Sequence, residues 1–301
     1  MKVLITGGTG ALGRAVIAQL NKQGDYRVIA AGRQYRNDSI SPMLCDVCNH
    51  GQLSTVFNQA KPDIVLHLAA TFSGSFDEVY ATNVEPARHI LDLVQESGLN
   101  TRVILVGSAA EYGIVKIEEN PIQESRVLAP VSIYGVSKAW QTQLVGLYGS
   151  QGVDVICARI FNLYGPGVSG RLFAGRLRNQ IDEVMTGRRS VIECGPLTAI
   201  RDYLSTDEAA IQLLGIAMHG KAGEIYHVAN GVPVSMREVL MHQLEKAGLA
   251  PSIVKESTSL SNHRGYDVPV IYADVTKTKQ LIATGKMNAK TQNDGSHSRL
   301  Q

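Results

Sequence analysis

The feature that most constrains this chain is a glycine triplet. Gly7, Gly10 and Gly13 lie in Thr6-Gly7-Gly8-Thr9-Gly10-Ala11-Leu12-Gly13, directly after the apolar run Lys2-Val3-Leu4-Ile5-Thr6. Glycines in that place let a strand turn sharply into a helix and let the backbone approach a phosphate at the helix N-terminus. A glycine triplet is a weak signal by itself and a strong one between an N-terminal strand and a helix. The spacing predicts a strand over 2–6, a helix over about 12–22, and a pyrophosphate-binding turn made of Gly7, Gly10, Ala11, Leu12 and Gly13.

The alternation continues. Apolar runs at 27–31, 63–68, 102–106 and 153–158 read as buried strands, and stretches near 83–97 and 134–148 read as helices between them. Continuous apolar strands separated by helices indicate a parallel sheet covered on both faces, and right-handed crossovers make it doubly wound. The expected fold class is α/β: a doubly wound parallel sheet of the Rossmann type with a smaller C-terminal α/β substrate lobe. Residues 1–162 would form the cofactor-binding domain with the catalytic residues. Residues 163–285 would form the lobe, partly interleaved with the sheet, with helices near 173–186 and 207–219 and Asp207 as a helix cap. Residues 286–301 are polar and aperiodic, which predicts a disordered tail.

Composition sets limits on function. With 44% hydrophobic and 19% charged residues in 301, the chain can bury a core without disulfide or metal staples. A net charge of +2 without a basic stripe gives no footprint for nucleic acid. No apolar run approaches the roughly 20 residues of a membrane helix, and Gly7 follows Met1 too soon for a signal peptide. The expectation is a cytoplasmic protein with no membrane partner. Cys45 and Cys48 form a CxxC without a second pair, so they read as reduced thiols at a strand end, and no metal site is expected.

The end of the second strand bears on the cofactor. Enzymes that use NAD place an acidic residue there for the ribose hydroxyls. Here the position holds Gly32, followed by Arg33. A carboxylate would repel a 2′-phosphate, whereas a guanidinium pairs with it in a fork. NADP is therefore expected, with Arg33 on the phosphate, Arg36 assisting, and Asp46 and Val47 at the adenine edge.

Tyr134-Gly135-Val136-Ser137-Lys138 places a phenol and an ammonium on one helix face. The ammonium, with an oxidised nicotinamide, would lower the phenol pKa so that Tyr134 exchanges a proton with a carbonyl oxygen as hydride arrives. Ser108, at the end of the 102–106 strand, would hold the same oxygen. His67 would line the nucleotide.

With Ser108, Tyr134 and Lys138 in this order behind a glycine loop, the chain resembles the extended short-chain dehydrogenase/reductase family over residues 1 to about 285. Ser108-Ala109-Ala110-Glu111-Tyr112-Gly113, His67-Leu68-Ala69-Ala70, Asn83-Val84 and Arg159-Ile160-Phe161-Asn162-Leu163-Tyr164-Gly165-Pro166 are similar to its signature segments. The resemblance implies cofactor contacts at Leu68, Ala69, Ala70, Asn83, Tyr134, Lys138 and Phe161. It implies substrate contacts at Asn162 and Glu111, and at Arg201 and Arg264 on a substrate diphosphate. It also implies a homodimer through the helices carrying Asn83 and the Tyr-Lys pair, with Leu144, Val145, Leu147 and Tyr148 as an apolar stripe that would serve either that contact or packing on the sheet.

Within the family, dehydratases carry Thr-Asp-Glu where this chain has Ser108-Ala109-Ala110. Two alanines cannot supply the acid and base of an elimination. Downstream segments, among them Gln180-Ile181, Val191-Ile192 and Arg201-Asp202-Tyr203, resemble the branch that reduces GDP-4-keto-6-deoxy-D-mannose with NADPH. The chain departs from that branch at Ala110, often Glu there, and after Gly285. The expected activity is NADPH-dependent reduction of a nucleotide-linked 4-keto-6-deoxyhexose. An NAD-dependent nucleotide-sugar 4-epimerase and a non-catalytic NADP-sensing Rossmann protein are the alternatives.

Overall fold

A computed structural model describes residues 1–33, 43–72, 74–260 and 268–285. Arg36, Arg264 and the 286–301 tail lie outside the described residues. The first half runs β1 (Lys2–Thr6), α1 (Ala11–Gln23), β2 (Arg27–Gly32), β3 (Met43–Leu44), α2 (His50–Ala60), β4 (Ile64–His67), α3 (Phe76–Asn83), α4 (Glu85–Ser97), β5 (Arg102–Ser108) and α5 (Ile133–Ser150). The second runs β6 (Val155–Ile160), β7 (Asn162–Tyr164), α6 (Phe173–Met185), β8 (Ile192–Cys194), β9 (Ile200–Ser205), α7 (Thr206–His219), β10 (Ile225–Val228), β11 (Pro233–Ser235), α8 (Met236–Ala247), β12 (Val254–Glu256) and β13 (Val270–Ile271). A last helix covers 276–285.

Seven strands form one sheet in the order β10-β6-β5-β4-β1-β2-β3, every neighbouring pair parallel. The order reverses between β1 and β4. In doubly wound sheets the crevice beyond the strand ends at such a point receives the ligand. The strands are apolar throughout because both faces are covered. Leu4, Val65, Val103, Leu105 and Val155 pack on α2, α4 and α5. Val3, Ile5, Leu66, Ile104 and Ile156 pack on α1 and α7. Each such fully buried side chain contributes about 1.5–3 kcal/mol.

The second half returns to this sheet. β10 pairs with β6 from Ile225↔Cys157 to Val228↔Ile160, and α7 packs beside α1. What remains forms a small sheet over the strand ends, β11-β9-β13 with β7 on β9, and a separate β8-β12 pair.

Local detail refines the expectations. The helix expected near 83–97 is α4, and a further helix that the sequence reading did not give, α3, precedes it from a Ser75–Glu78 capping box. Pro86, lacking an N–H, fits only a first helical turn. The cap of α7 is Ser205, whose hydroxyl accepts from Glu208 N at 3.1 Å, and Asp207 only occupies the first turn. On α5, Val145 and Tyr148 pack into the sheet core rather than outward. The face α5 turns to solvent carries Ile133, Trp140 and Leu147, seven residues apart and all exposed.

Candidate active site

The turn after β1 is built to exclude side chains. Gly7 adopts φ +68°, and a Cβ on Gly13 would lie 2.5 Å from the Gly7 carbonyl oxygen. Gly10, the N-cap of α1, offers no side-chain cap. The first N–H groups of α1 therefore face the crevice, where a helix N-terminus favours an anion.

This turn forms one wall of a cleft of about 680 Å³. The cleft brings together most residues singled out from sequence. Gly7, Gly10, Ala11, Leu12 and Gly13 line it at the phosphate end. Leu68, Ala70, Phe161 and Asn162 line it along the strand ends, with Ser108, Tyr134 and Lys138 in its centre and Arg201 on the far wall. Asn162 is held by its Nδ2 donating to the Asp202 carbonyl at 3.1 Å. Asp202 itself accepts from the backbone N–H groups of Asn230, Gly231 and Ala273, fixing the segment that presents Arg201.

Other expected site residues do not line this cleft. Arg33 is exposed at the end of β2, with Asp46 and the buried Val47 on the loop after β3. The Ala69 N–H donates to Thr6 Oγ1 at 3.4 Å. Asn83 is fully buried, bonded through its amide to Thr71 and to Ser137 Oγ, so it braces the Tyr134 helix from behind rather than touching a ligand. Glu111 is also fully buried, so the expected substrate contact is corrected: its oxygens are engaged by Ser108 N, Thr142 Oγ1 and Arg159. His67 is likewise not lining but core, its Nδ1 sharing a 2.8 Å bond with Thr6 Oγ1. Burial pushes its imidazole down to about 3, with the Lys138 charge adding to the effect.

The electrostatics of the centre differ from expectation. Lys138 is almost wholly buried and donates to the Val106 carbonyl and to Gln141 Oε1, both at 2.8 Å. Burial pulls its ammonium down to about 8, against the charges of Glu111 and Cys157 that hold it up. Tyr134 is not lowered by this ammonium. Burial pushes the phenol up to about 12, a hydrogen bond with Ser108 draws it part of the way back, and Glu111 adds to the rise. In this state Tyr134 holds its proton throughout the neutral range, which suits a proton donor.

Among the described residues lining the cleft there is no Asp, Glu, His or Cys. The groups that can exchange protons or carry charge are Tyr134, Lys138, Arg201 and Tyr203. No cluster of three or more His, Cys, Asp or Glu that could hold a metal occurs among the described residues. No helix there is long and apolar enough to cross a membrane.

Sequence reasoning missed Phe72, whose ring meets Tyr134 edge-on at 5.7 Å between centroids. An aromatic in the polar stretch after β4 was the available cue. It also gave no role to Tyr203, although the Arg201-Asp202-Tyr203 segment was singled out, and it missed Phe173 at the start of α6.

The NAD dependent epimerase/dehydratase family model matches residues 3–229. The chain belongs to that family. It is 25% identical over 294 residues to GDP-6-deoxy-D-talose 4-dehydrogenase of Aggregatibacter actinomycetemcomitans, covering 94% of this chain and 91% of that relative. It is 27% identical over 202 residues to GDP-6-deoxy-D-mannose reductase of Pseudomonas aeruginosa, covering 65% of this chain and 66% of that relative. Its fold is similar to that of RMD from Pseudomonas aeruginosa complexed with NADPH, with a TM-score of 0.79 at 21% identity over 93% of this chain and 91% of that one.

Proposed function

We propose that this protein is an NADPH-dependent reductase of a nucleotide-linked 4-keto-6-deoxyhexose, with the GDP-linked 4-keto-6-deoxymannose as the first substrate to test. The observation that carries the reading is the lining of the cleft. The Tyr134 phenol, poised to give a proton, shares the cleft with a buried ammonium, and among the described lining residues no carboxylate or imidazole offers a second acid or base. That inventory suits carbonyl reduction. It does not suit elimination of water, which needs an acid and a base where Ala109 and Ala110 stand.

The glycine turn fits a dinucleotide pyrophosphate, because Gly7 and Gly13 let it close tightly on neighbouring backbone, where a Cβ would clash, and so set the N-terminus of α1 at the cleft. Gly7, Gly10, Ala11, Leu12 and Gly13 would hold it, Asp46 and Val47 would meet the adenine, and Arg33 would pair with a 2′-phosphate. The bound cofactor supplies a hydride to the C4 carbonyl. Ser108 holds the carbonyl oxygen, and Tyr134 donates its proton to that oxygen. Lys138, pinned by Val106 and Gln141, would hold the cofactor ribose. Arg201, with Asn162 and the expected Arg264, would bind the diphosphate and sugar, and Phe72 packs edge-on against the Tyr134 ring.

The homodimer belongs to this reading, through α3, which carries Asn83, and α5, with Ile133, Trp140 and Leu147 as the outward stripe. Trp140 is the single tryptophan, so dimer formation would blue-shift all of the protein's indole emission on raising the concentration.

The test is NADPH oxidation with GDP-4-keto-6-deoxymannose generated in place, beside dTDP- and CDP-linked 4-keto sugars and an NADH control. Oxidation with the GDP sugar, faster with NADPH than NADH, supports the reading. No oxidation with any of them rejects it in favour of the epimerase.

A further inference from the structure

We propose that Glu111 is the positioning residue that locks the three catalytic side chains into one frame, acting through a buried clamp with Arg159 and Thr142. This rests on the reading that Ser108, Tyr134 and Lys138 do the chemistry. The three come from two separate elements. Ser108 ends β5, and Tyr134 and Lys138 stand on α5. The Lys138 ammonium meets β5 at the Val106 carbonyl and Tyr134 shares a hydrogen bond with Ser108, yet neither anchors the Ser108 backbone to the body of α5.

A single carboxylate does. Glu111 Oε1 accepts the Ser108 backbone N–H at 2.6 Å. Its Oε2 accepts the Thr142 hydroxyl at 2.8 Å, from α5 one turn beyond Lys138. Oε2 also takes Arg159 through Nε at 3.0 Å and through the terminal nitrogen Nη2 at 2.9 Å, from β6 next to β5. Four donors meet the roughly four lone-pair directions of a carboxylate, so nothing is left over for a ligand. Glu111 and Arg159 are both fully buried, which gives their pairing low screening and directional strength. Arg159 is in turn held by Tyr112, whose hydroxyl accepts from its Nη1 at 2.7 Å.

The backbone is shaped around this carboxylate. A Cβ at Gly107 would stand 2.5 Å from Glu111 Oε1 and 2.8 Å from Cys157 Sγ. Gly107 pairs with Arg159 across β5 and β6, so the clamp occupies the space that a side chain at this strand position would take. A surface pair of the same residues would tie nothing together. Here the carboxylate joins the end of β5, the neighbouring strand and the catalytic helix.

The test separates positioning from mere stability. Thr142→Val removes the tie to α5 together with the hydroxyl's 3.3 Å contact to Cys157 Sγ, and leaves the Glu111–Arg159 pair intact, so the protein should keep its fold. We expect kcat to fall about 10- to 100-fold, the loss typical of a small misplacement of reacting groups. KM for sugar and for cofactor should stay within about threefold on that basis, and Thr142→Ser, which keeps the hydroxyl, should restore kcat. Glu111→Gln should lose more. Unchanged kcat in Thr142→Val would overturn the proposal, as would failure of Thr142→Ser to restore it. A second arm needs no substrate: hydrogen exchange at the Ser108 amide of the full chain with NADPH. It should speed up about tenfold or more in Thr142→Val and in Glu111→Gln, the loss expected when a charge-assisted bond weakens. An unchanged rate refutes the clamp even if no sugar of the panel is turned over, so failure of the functional reading and failure of this one are told apart.

Discussion

The two walls of the cleft are made by different means. The phosphate wall is backbone: a turn of eight residues whose glycines exclude side chains and leave helix N–H groups to the cleft. The wall behind Ser108 is side chain: Glu111, Thr142 and Arg159, spread over 48 positions and joined only in the folded sheet. A wall made from local backbone geometry tolerates no bulk. A wall made from long-range hydrogen bonds tolerates bulk poorly and loss of a single donor just as poorly. Substitutions on the two walls should therefore fail in different ways.

The largest expected effect lies between them. Tyr134→Phe keeps the ring against Phe72 and removes the proton, so turnover should fall about 100- to 10,000-fold while the melting temperature hardly moves. Steady-state NADPH oxidation beside thermal melts reads both, and near-wild-type turnover would contradict the role. On the phosphate wall, Gly13→Val drives a side chain into the Gly7 carbonyl. Cofactor affinity should weaken by about 100-fold or more, as expected when a close backbone approach to the phosphates is blocked. Titration of NADPH fluorescence measures it, and wild-type affinity would show that the turn is not the cradle. A smaller effect belongs to Arg33→Ala. Loss of one fork to a 2′-phosphate should cut the NADPH over NADH preference about tenfold, leaving the melting temperature unchanged.

A last prediction concerns stability against pH, and its sign follows from two buried histidines. Burial holds His67 down to about 3 and, with the Arg159 charge among the further causes, His227 down to about 4. Unfolded histidine titrates near 6.5. Between that value and about 4 the unfolded chain binds protons that the folded chain refuses, so stability is full above 6.5 and falls as pH drops. The slope should be about 1.4 kcal/mol per pH unit for each histidine. Denaturant melts from pH 7 to 4 would show it, and His67→Gln should flatten the curve. A curve as steep in that variant as in the wild type would contradict the assignment.

Legibility followed the same division. The glycine turn, the apolar strand runs and the Tyr134–Lys138 spacing are short-range patterns, and the structure has a turn, buried strands and a helix at those places. Arg201 and Asn162 came from the family resemblance, and both line the cleft. Glu111 and Asn83 were assigned to ligands because residues near a signature segment share its neighbourhood in sequence. Burial decides otherwise, and burial of a polar side chain depends on partners 31 to 54 positions away. Gly107 carried a signal that went unread: a glycine inside a strand marks close approach of another group. The expected lowering of the Tyr134 phenol assumed that Lys138 faces it, whereas Val106 and Gln141 hold the ammonium.

The most direct test of the central claim follows the hydride itself. NADPH carrying deuterium at the transferable position would be incubated with the GDP-linked 4-keto sugar, and the product sugar examined by mass spectrometry and NMR. The account predicts one deuterium, at C4, in an amount equal to the NADPH consumed, and none with Tyr134→Phe on the same time scale. A converted sugar without deuterium, formed with no net loss of NADPH, would contradict it and mark the protein as an epimerase that recycles its own cofactor.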